Sequence, residues 1–434
     1  MFFYRRRSGI LKWILGGVSG GLVILVVTVI VLKSTQESSF LAYTCVSTDT
    51  ENYKLSSSSN LFDLKLFHEI LAESTANLIL SSQSVASVLA MLMLAANGDT
   101  FTELSQALTL PCGENETDNL QVYLEAFKDA HESLQVGSAI KLESANRMYI
   151  DNQYSLNSLY EFKSNEYLSS KPEKVDFAQN PDVARGQINH WVESKTNQKI
   201  KDFLPLGSVG ANTKIVLVNA IYFKGKWLSQ FDASATNETG EFFQASGESI
   251  EAPMMYVQAD LRSVTYQNVD IVKLPYEGGR LSMYILKPSE GYDLSTAQDL
   301  LTQKLEFDEI LDEKVMTELY LPKFKIESSY ELRGTLQNMG LSLIFDASNA
   351  DLTGLNVNPE EKSLHVDKVM QKAFIEVNEE GTEAAAATGI LMKTASVRIP
   401  QKSVIINRPF LFFIRDHQTG LNLFSGRILY PEYV

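Results

Sequence analysis

The chain has 434 residues, 38 Lys and Arg against 53 Asp and Glu, a formal charge of −15, and 44% hydrophobic content. That acidity argues against a phosphate-backbone footprint, so no nucleic-acid partner is expected. The apolar content can bury a large core, and without a repeat, long linker or composition break after about residue 60 one large domain is preferred to two or three.

Arg5-Arg6-Arg7 and Lys12 make residues 1–13 a basic segment expected to stay cytoplasmic. Ile14 to Leu32 follow as nineteen residues without a charge, closed by Lys33. That is near the length needed to cross a bilayer and longer than a usual signal-peptide core. A retained signal-anchor (a type II membrane protein) and a cleaved signal peptide, with Ser34 or Ser38-Ser39 at the cut, both stay open. Either puts the rest of the chain in the secretory pathway or outside the cell. Gly17-Val18-Ser19-Gly20-Gly21 has the spacing of a nucleophile elbow but lies inside the apolar segment, where small residues of a helix are the better reading.

Residues 33–58 read as a flexible tether, running out in the serines Ser56-Ser57-Ser58-Ser59 where the domain begins. Phe62, Leu66 and Ile70, with Phe67 and Leu71, then recur at helical spacing with Ser59 or Asn60 as the cap, so the globular domain is expected over 59–434. The two cysteines, Cys45 and Cys112, are an even count that permits a disulfide in an oxidising compartment, with free or intermolecular thiols as the alternative. Asn115-Glu116-Thr117 and Asn237-Glu238-Thr239 are glycosylation sequons. His68, His131, His190, His365 and His417 show no metal-ligand spacing, and no glycine-rich phosphate loop is present. No metal, cofactor or catalytic apparatus is expected.

Leu364 to Val377 has much of the alternation of a half-buried strand, with Val366, Ala373, Ile375 and Val377 as core candidates. It is expected to feed directly into Asn378-Glu379-Glu380-Gly381-Thr382-Glu383-Ala384-Ala385-Ala386-Ala387-Thr388. Alanine favours helix, but Gly381 and two threonines oppose it. As a strand, Thr382, Ala384, Ala386 and Thr388 share one face and Glu383 points to solvent. Side chains this small can slide between two strands without burying a bulky or charged group.

That segment resembles the mobile hinge of the serpin family: an acidic pair, then Gly-Thr-Glu and an alanine-rich run, here Glu379 to Thr388. Ile406-Asn407-Arg408-Pro409-Phe410-Leu411-Phe412-Phe413-Ile414 is similar to the family's C-terminal signature. Asn77-Leu78-Ile79-Leu80-Ser81, Leu89-Ala90-Met91-Leu92 and Asn219-Ala220-Ile221-Tyr222-Phe223-Lys224-Gly225-Lys226-Trp227 also fall at the family's places, and the resemblance covers about residues 59 to 434. It implies an α+β fold, a multi-helix domain around a large central β-sheet with two further sheets and an exposed reactive loop over about 379–405. It also implies a monomeric suicide-substrate inhibitor of serine endopeptidases, not an enzyme. A non-inhibitory carrier, chaperone or storage serpin and a tethered adhesion protein on the same fold are the alternatives.

Counting forward from Gly381 by the family's usual interval puts the reactive bond between Ala395 and Ser396, which suits an elastase-like target with a shallow pocket. Lys393 and Arg398 compete, and a cut between Arg398 and Ile399 implies a trypsin-like target. The family's shutter, which gates strand entry, would draw on Ser81, Ser84, Asn219 and Gln371. Ser82 stands where a proline is common, and Gln371 where a histidine is often found. Trp227 corresponds to the end of the sheet where insertion begins, although it and Phe410 to Phe413 also suit plain core packing. Heparin-binding relatives carry a basic helix near residues 114–134. Here Glu114, Glu116, Asp118, Glu125, Asp129 and Glu132 would repel a polyanion.

Overall fold

The structure is a computed structural model that describes residues 53–111, 115–134, 140–303, 305–358, 364–382 and 399–433. All of these belong to one compact unit. Cys45, Cys112, the apolar segment Ile14 to Leu32 and residues 383–398 lie outside the described residues.

Helix α1 (Leu55–Glu73) starts ahead of the expected cap. Ser59 is buried within it, and Asn60 serves another strand: its Nδ2 donates to the Gly420 carbonyl at 2.8 Å and its Oδ1 accepts the Asn422 N–H at 2.9 Å. Phe62, Leu66, Phe67 and Ile70 are buried, as their spacing requires. Strand β1 (Leu78–Leu80) leads into α2 (Ser82–Met93), α3 (Gly98–Ala107) and α4 (Glu116–Leu134), then β2 (Ile140–Asp151), α5 (Ser158–Leu168), β3 (Glu173–Val175) and α6 (Pro181–Lys195). Next come β4 (Ile215–Lys226), β5 (Asn237–Phe243), β6 (Ser249–Tyr266), β7 (Val269–Pro275), β8 (Leu281–Pro288), α7 (Leu294–Leu301), α8 (Phe307–Ile310), β9 (Val315–Pro322), β10 (Phe324–Glu331) and α9 (Arg333–Asn338). The chain closes with β11 (Val366–Val377), β12 (Gly381–Thr382), β13 (Lys402–Ile405), β14 (Phe410–Asp416) and β15 (Asn422–Ile428).

One sheet runs β10-β11-β12-β4-β2-β3. The other strands follow the path β1-β15-β14-β8-β7-β6-β9-β13, with β5 paired to β6. The long β6 serves two ladders, pairing β5 and β9 through its first part and β7 through Arg262 to Tyr266, so this path divides into the two further sheets. The α+β expectation holds.

Strand β11 departs from the half-buried reading, because almost every position is covered. Val366, Val369, Ala373, Ile375 and Val377 face the main core, while Met370 and Phe374 face a second core with Ile188 and Val192 of α6 and with Ile200, Phe203 and Leu204. The cause is its pairing: β11 lies parallel to β4 from Val366↔Ile215 to Phe374↔Tyr222, and parallel strands are usually covered on both faces. Helix α2 is buried along nearly its whole length against the same sheet.

Candidate functional site

The hinge begins with a reversal, where sequence reading expects a continuous strand. At Asn378–Glu380 the chain turns back, and β12 pairs antiparallel with β11 (Val377↔Thr382) and with β4 (Thr382↔Gly225, Gly381↔Lys226). Asn378 builds this turn. Its N–H donates to the Gly381 carbonyl at 2.9 Å, and its side-chain oxygen accepts the N–H groups of Glu380 at 3.1 Å and Gly381 at 3.3 Å. An asparagine bonding the backbone two residues on is what starts such turns.

Trp227 secures the turn from below. Its indole N–H donates to the Asn378 carbonyl at 2.9 Å and its backbone N–H to the Glu380 carbonyl at 3.0 Å. The Phe231 N–H donates to the Glu379 carbonyl at 2.9 Å. Trp227 stacks on Tyr276 with ring centres 4.5 Å apart, and the Tyr276 hydroxyl lies 2.9 Å from Thr382 Oγ1. Thr382 is fully buried, the inward position assigned to it. Gly381 has no room for a Cβ, which would collide with the Gly225 carbonyl. Burial opposes ionisation of Glu379, yet Lys323 Nζ at 2.7 Å and the Thr236 hydroxyl at 2.7 Å hold its carboxyl below the usual range. Lys323 is raised for the complementary reason, with burial working against Glu379 and Glu238.

Below the hinge, where β4 and β11 meet, three of the four shutter candidates join through side chains. Gln371 and Asn219 are register partners, and Gln371 Nε2 donates to Asn219 Oδ1 and, at 2.8 Å, to the Ser81 carbonyl. Asn219 Nδ2 donates to Ser84 Oγ and to Asn146 Oδ1, and Ser84 Oγ donates to Asn146 Oδ1 at 3.0 Å. Ser81 takes part only through its carbonyl; its hydroxyl and Gln371 Oε1 have no partner among the described residues. A cavity of about 40 Å³ lined by Ser81, Ser84, Ser144 and Asn146 adjoins the cluster.

Sequence reasoning missed Asn146, Asn378, Tyr276 and Lys323. Asn146 stands opposite Asn219 across β2 and β4, a register that no local pattern reveals. Asn378 before two acidic residues and a glycine was the legible turn signal. Of the hinge, Glu383, Ala384, Ala385, Ala386, Ala387 and Thr388 lie outside the described residues, as do Ala395, Ser396 and Arg398. Ile399 is exposed, and the chain then joins β9 through β13. Asn115 and Asn237 are both exposed. Helix α4 carries the acidic residues from Glu116 to Glu132.

Among the described residues no cluster of His, Cys, Asp and Glu has a metal-binding arrangement, and no helix is long and apolar enough to cross a membrane. Ser282 Oγ lies 2.9 Å from His417 Nε2, whose Nδ1 is 3.5 Å from Asp308 Oδ2. Ser282 is fully buried in β8, so this order of groups offers no nucleophile to a substrate.

A three-sheet domain whose hinge is wedged at the end of a parallel seam is a scaffold suited to strand addition. A family model described as "Serpin (serine protease inhibitor)" matches residues 57–431, and the chain belongs to that family. It is 33% identical over 396 residues to leukocyte elastase inhibitor A of Mus musculus, covering 87% of this chain and 100% of that protein. It is 35% identical over 362 residues to Serpin B8 of Bos taurus, covering 82% and 93%. The crystal structure of Serpin48 of the insect Tenebrio molitor superposes with a TM-score of 0.77 at 28% identity, covering 88% of this chain and 99% of that one. The family and these relatives support a serine protease inhibitor in general terms.

Proposed function

We propose that this protein traps serine endopeptidases as a suicide substrate, inserting its cleaved loop into the central sheet while the protease remains attached as an acyl-enzyme. Loop insertion is the established mode of this family. One observation supports it most: Thr382 is fully buried between β11 and β4, as the first inward residue of a strand whose further course would part the seam beneath it.

Magnitudes agree. Fourteen residues from Thr382 to Ala395 at about 3.3 Å each span about 45 Å. With roughly 1 kcal/mol net for each ladder bond, plus side-chain burial, an inserted strand releases on the order of 10 to 20 kcal/mol. A protease is stable by only about 5 to 15 kcal/mol, so its active site can be distorted. The uncut inhibitor is then held above its ground state by a kinetic barrier.

The reactive bond in this reading is Ala395–Ser396, and the relative named as an elastase inhibitor supports a small-residue pocket in the target. Arg398–Ile399 is the trypsin-like alternative. The N-terminal basic cluster and uncharged segment support delivery to the secretory pathway, where Asn115 and Asn237 would be open to glycosylation and Cys45 and Cys112 to pairing. Incubation with elastase-, chymotrypsin- and trypsin-like proteases should yield an adduct that survives boiling in detergent, and mass spectrometry of the released peptide locates the cut. Quantitative cleavage without adduct by all three would favour the non-inhibitory alternative. Mapping the mature N-terminus decides between anchor and signal peptide.

A further inference from the structure

We propose that Tyr433 is a positioning residue of the hinge, acting through Lys323. The inference deepens the inhibitory reading above and rests on it. After β15 the chain passes along the start of β10, where the Lys325 N–H donates to the Glu432 carbonyl at 2.7 Å. This brings the Tyr433 ring over Lys323, with the ammonium 5.4 Å from the ring centre. The Tyr433 hydroxyl donates to Glu376 Oε1 at 3.2 Å, fixing the ring against the end of β11. The same ammonium lies 2.7 Å from Glu379 and 3.6 Å from Glu238.

The arrangement joins four elements at one cation. Lys323 lies between β9 and β10, Glu379 belongs to the hinge turn, Glu238 belongs to β5, and the Tyr433 ring lies against the amine. The Lys323 side chain is only 13% exposed. A cation against an aromatic face is attracted to it, and the ring also keeps water from competing for the ammonium. Glu379 in turn accepts from the Thr236 hydroxyl and its carbonyl from the Phe231 N–H, so its pair with Lys323 adds to what holds the turn at Asn378. Removing the ring returns Lys323 to solvent, weakens its pair with Glu379 and loosens the end of the seam.

The test is hydrogen exchange, read by mass spectrometry, on the uncleaved full chain and on Tyr433→Ala, Tyr433→Phe, Lys323→Met and the double variant Tyr433→Ala with Lys323→Met. Peptides covering 225–232 and 376–382 should exchange about tenfold faster in Tyr433→Ala, while peptides from β14 and β15 stay unchanged. Tyr433→Phe keeps the ring over Lys323 but loses the hydroxyl's hold on Glu376, and should fall between the parent and Tyr433→Ala. In the Lys323→Met background, Tyr433→Ala should add nothing. Unchanged hinge exchange in Tyr433→Ala, a Phe variant as loose as the Ala variant, or full additivity in the double variant would each overturn the proposal. No protease is present, so a chain that fails to trap any protease would sink the inhibitory reading without touching this result.

Discussion

Among single residues, Thr382 bears most directly on the proposed mechanism. It is enclosed by β11, β4 and the Tyr276 hydroxyl, so a guanidinium there would be buried without a carboxylate partner. Thr382→Arg should still be cleaved by the target but leave no detergent-resistant adduct, which a denaturing gel reads. Glu379 and Lys323 set a pH window. The lowered Glu379 carboxyl stabilises the hinge above its ordinary value of 4.5, and this is lost as pH falls through the folded value. The raised Lys323 contributes below 10.5 and is lost as pH rises beyond that. Hinge amide protection should therefore weaken as pH falls below 4.5 and through the lowered folded value, and Glu379→Gln should flatten that acid limb. Asp63 has the opposite sign. It is fully enclosed, and burial outweighs donation from the Ser82 and Ser425 hydroxyls and from Asn422, pushing its carboxyl up. Its contribution is present below 3.8 and is lost as pH rises through the raised value, so at neutral pH the buried carboxyl costs stability relative to acid. Asp63→Asn should stabilise the uncut protein at pH 7 by about 1 to 3 kcal/mol, measured by thermal unfolding.

At the scale of elements, the seam between β4 and β11 is the structure that an incoming strand must divide. Its parallel ladder is bolted through Asn219, which bonds Gln371 on β11, Ser84 on α2 and Asn146 on β2. Asn219→Leu strips these groups of their partner at a cost of about 1 to 3 kcal/mol each where they stay buried. The uncut variant should lose inhibitory capacity on standing at body temperature several times faster than the parent, followed by adduct yield over time. A glutamine at position 371 can fill the cluster but itself carries no proton switch near neutrality. Strand β11 was legible from alternation, yet not its double burial, which follows from a parallel neighbour contributed by residues far away in the chain. The helix over α1 was legible by spacing. Its start was not, because Ser59 and Asn60 are engaged by tertiary neighbours and not by the helix end.

For the whole molecule, the proposed work is done by a difference between two states. Cutting the loop should let β12 extend down the seam, adding a strand to the central sheet. The clipped protein should then melt at least about 20 °C above the uncut form, a shift far beyond the few degrees produced by about 1 kcal/mol in a domain of this size. Calorimetry of the two forms measures it directly. Equal melting temperatures would mean that no energy is stored in the native sheet, and the mechanism proposed here would fall.

The amino-acid order alone determined the family, the acidic character, and the small side chains at Thr382, Ala384, Ala386 and Thr388, since composition, alternation and motif spacing are properties of near neighbours. Only the folded chain decided that Trp227 clamps the turn at Asn378, that Asn146 completes the cluster at Asn219, and that Tyr433 meets Lys323. Asn219 and Gln371 are 152 residues apart, and Trp227 and Asn378 are 151 apart. Contacts at such separations are set by strand register and by two packed cores, and no local pattern carries that information.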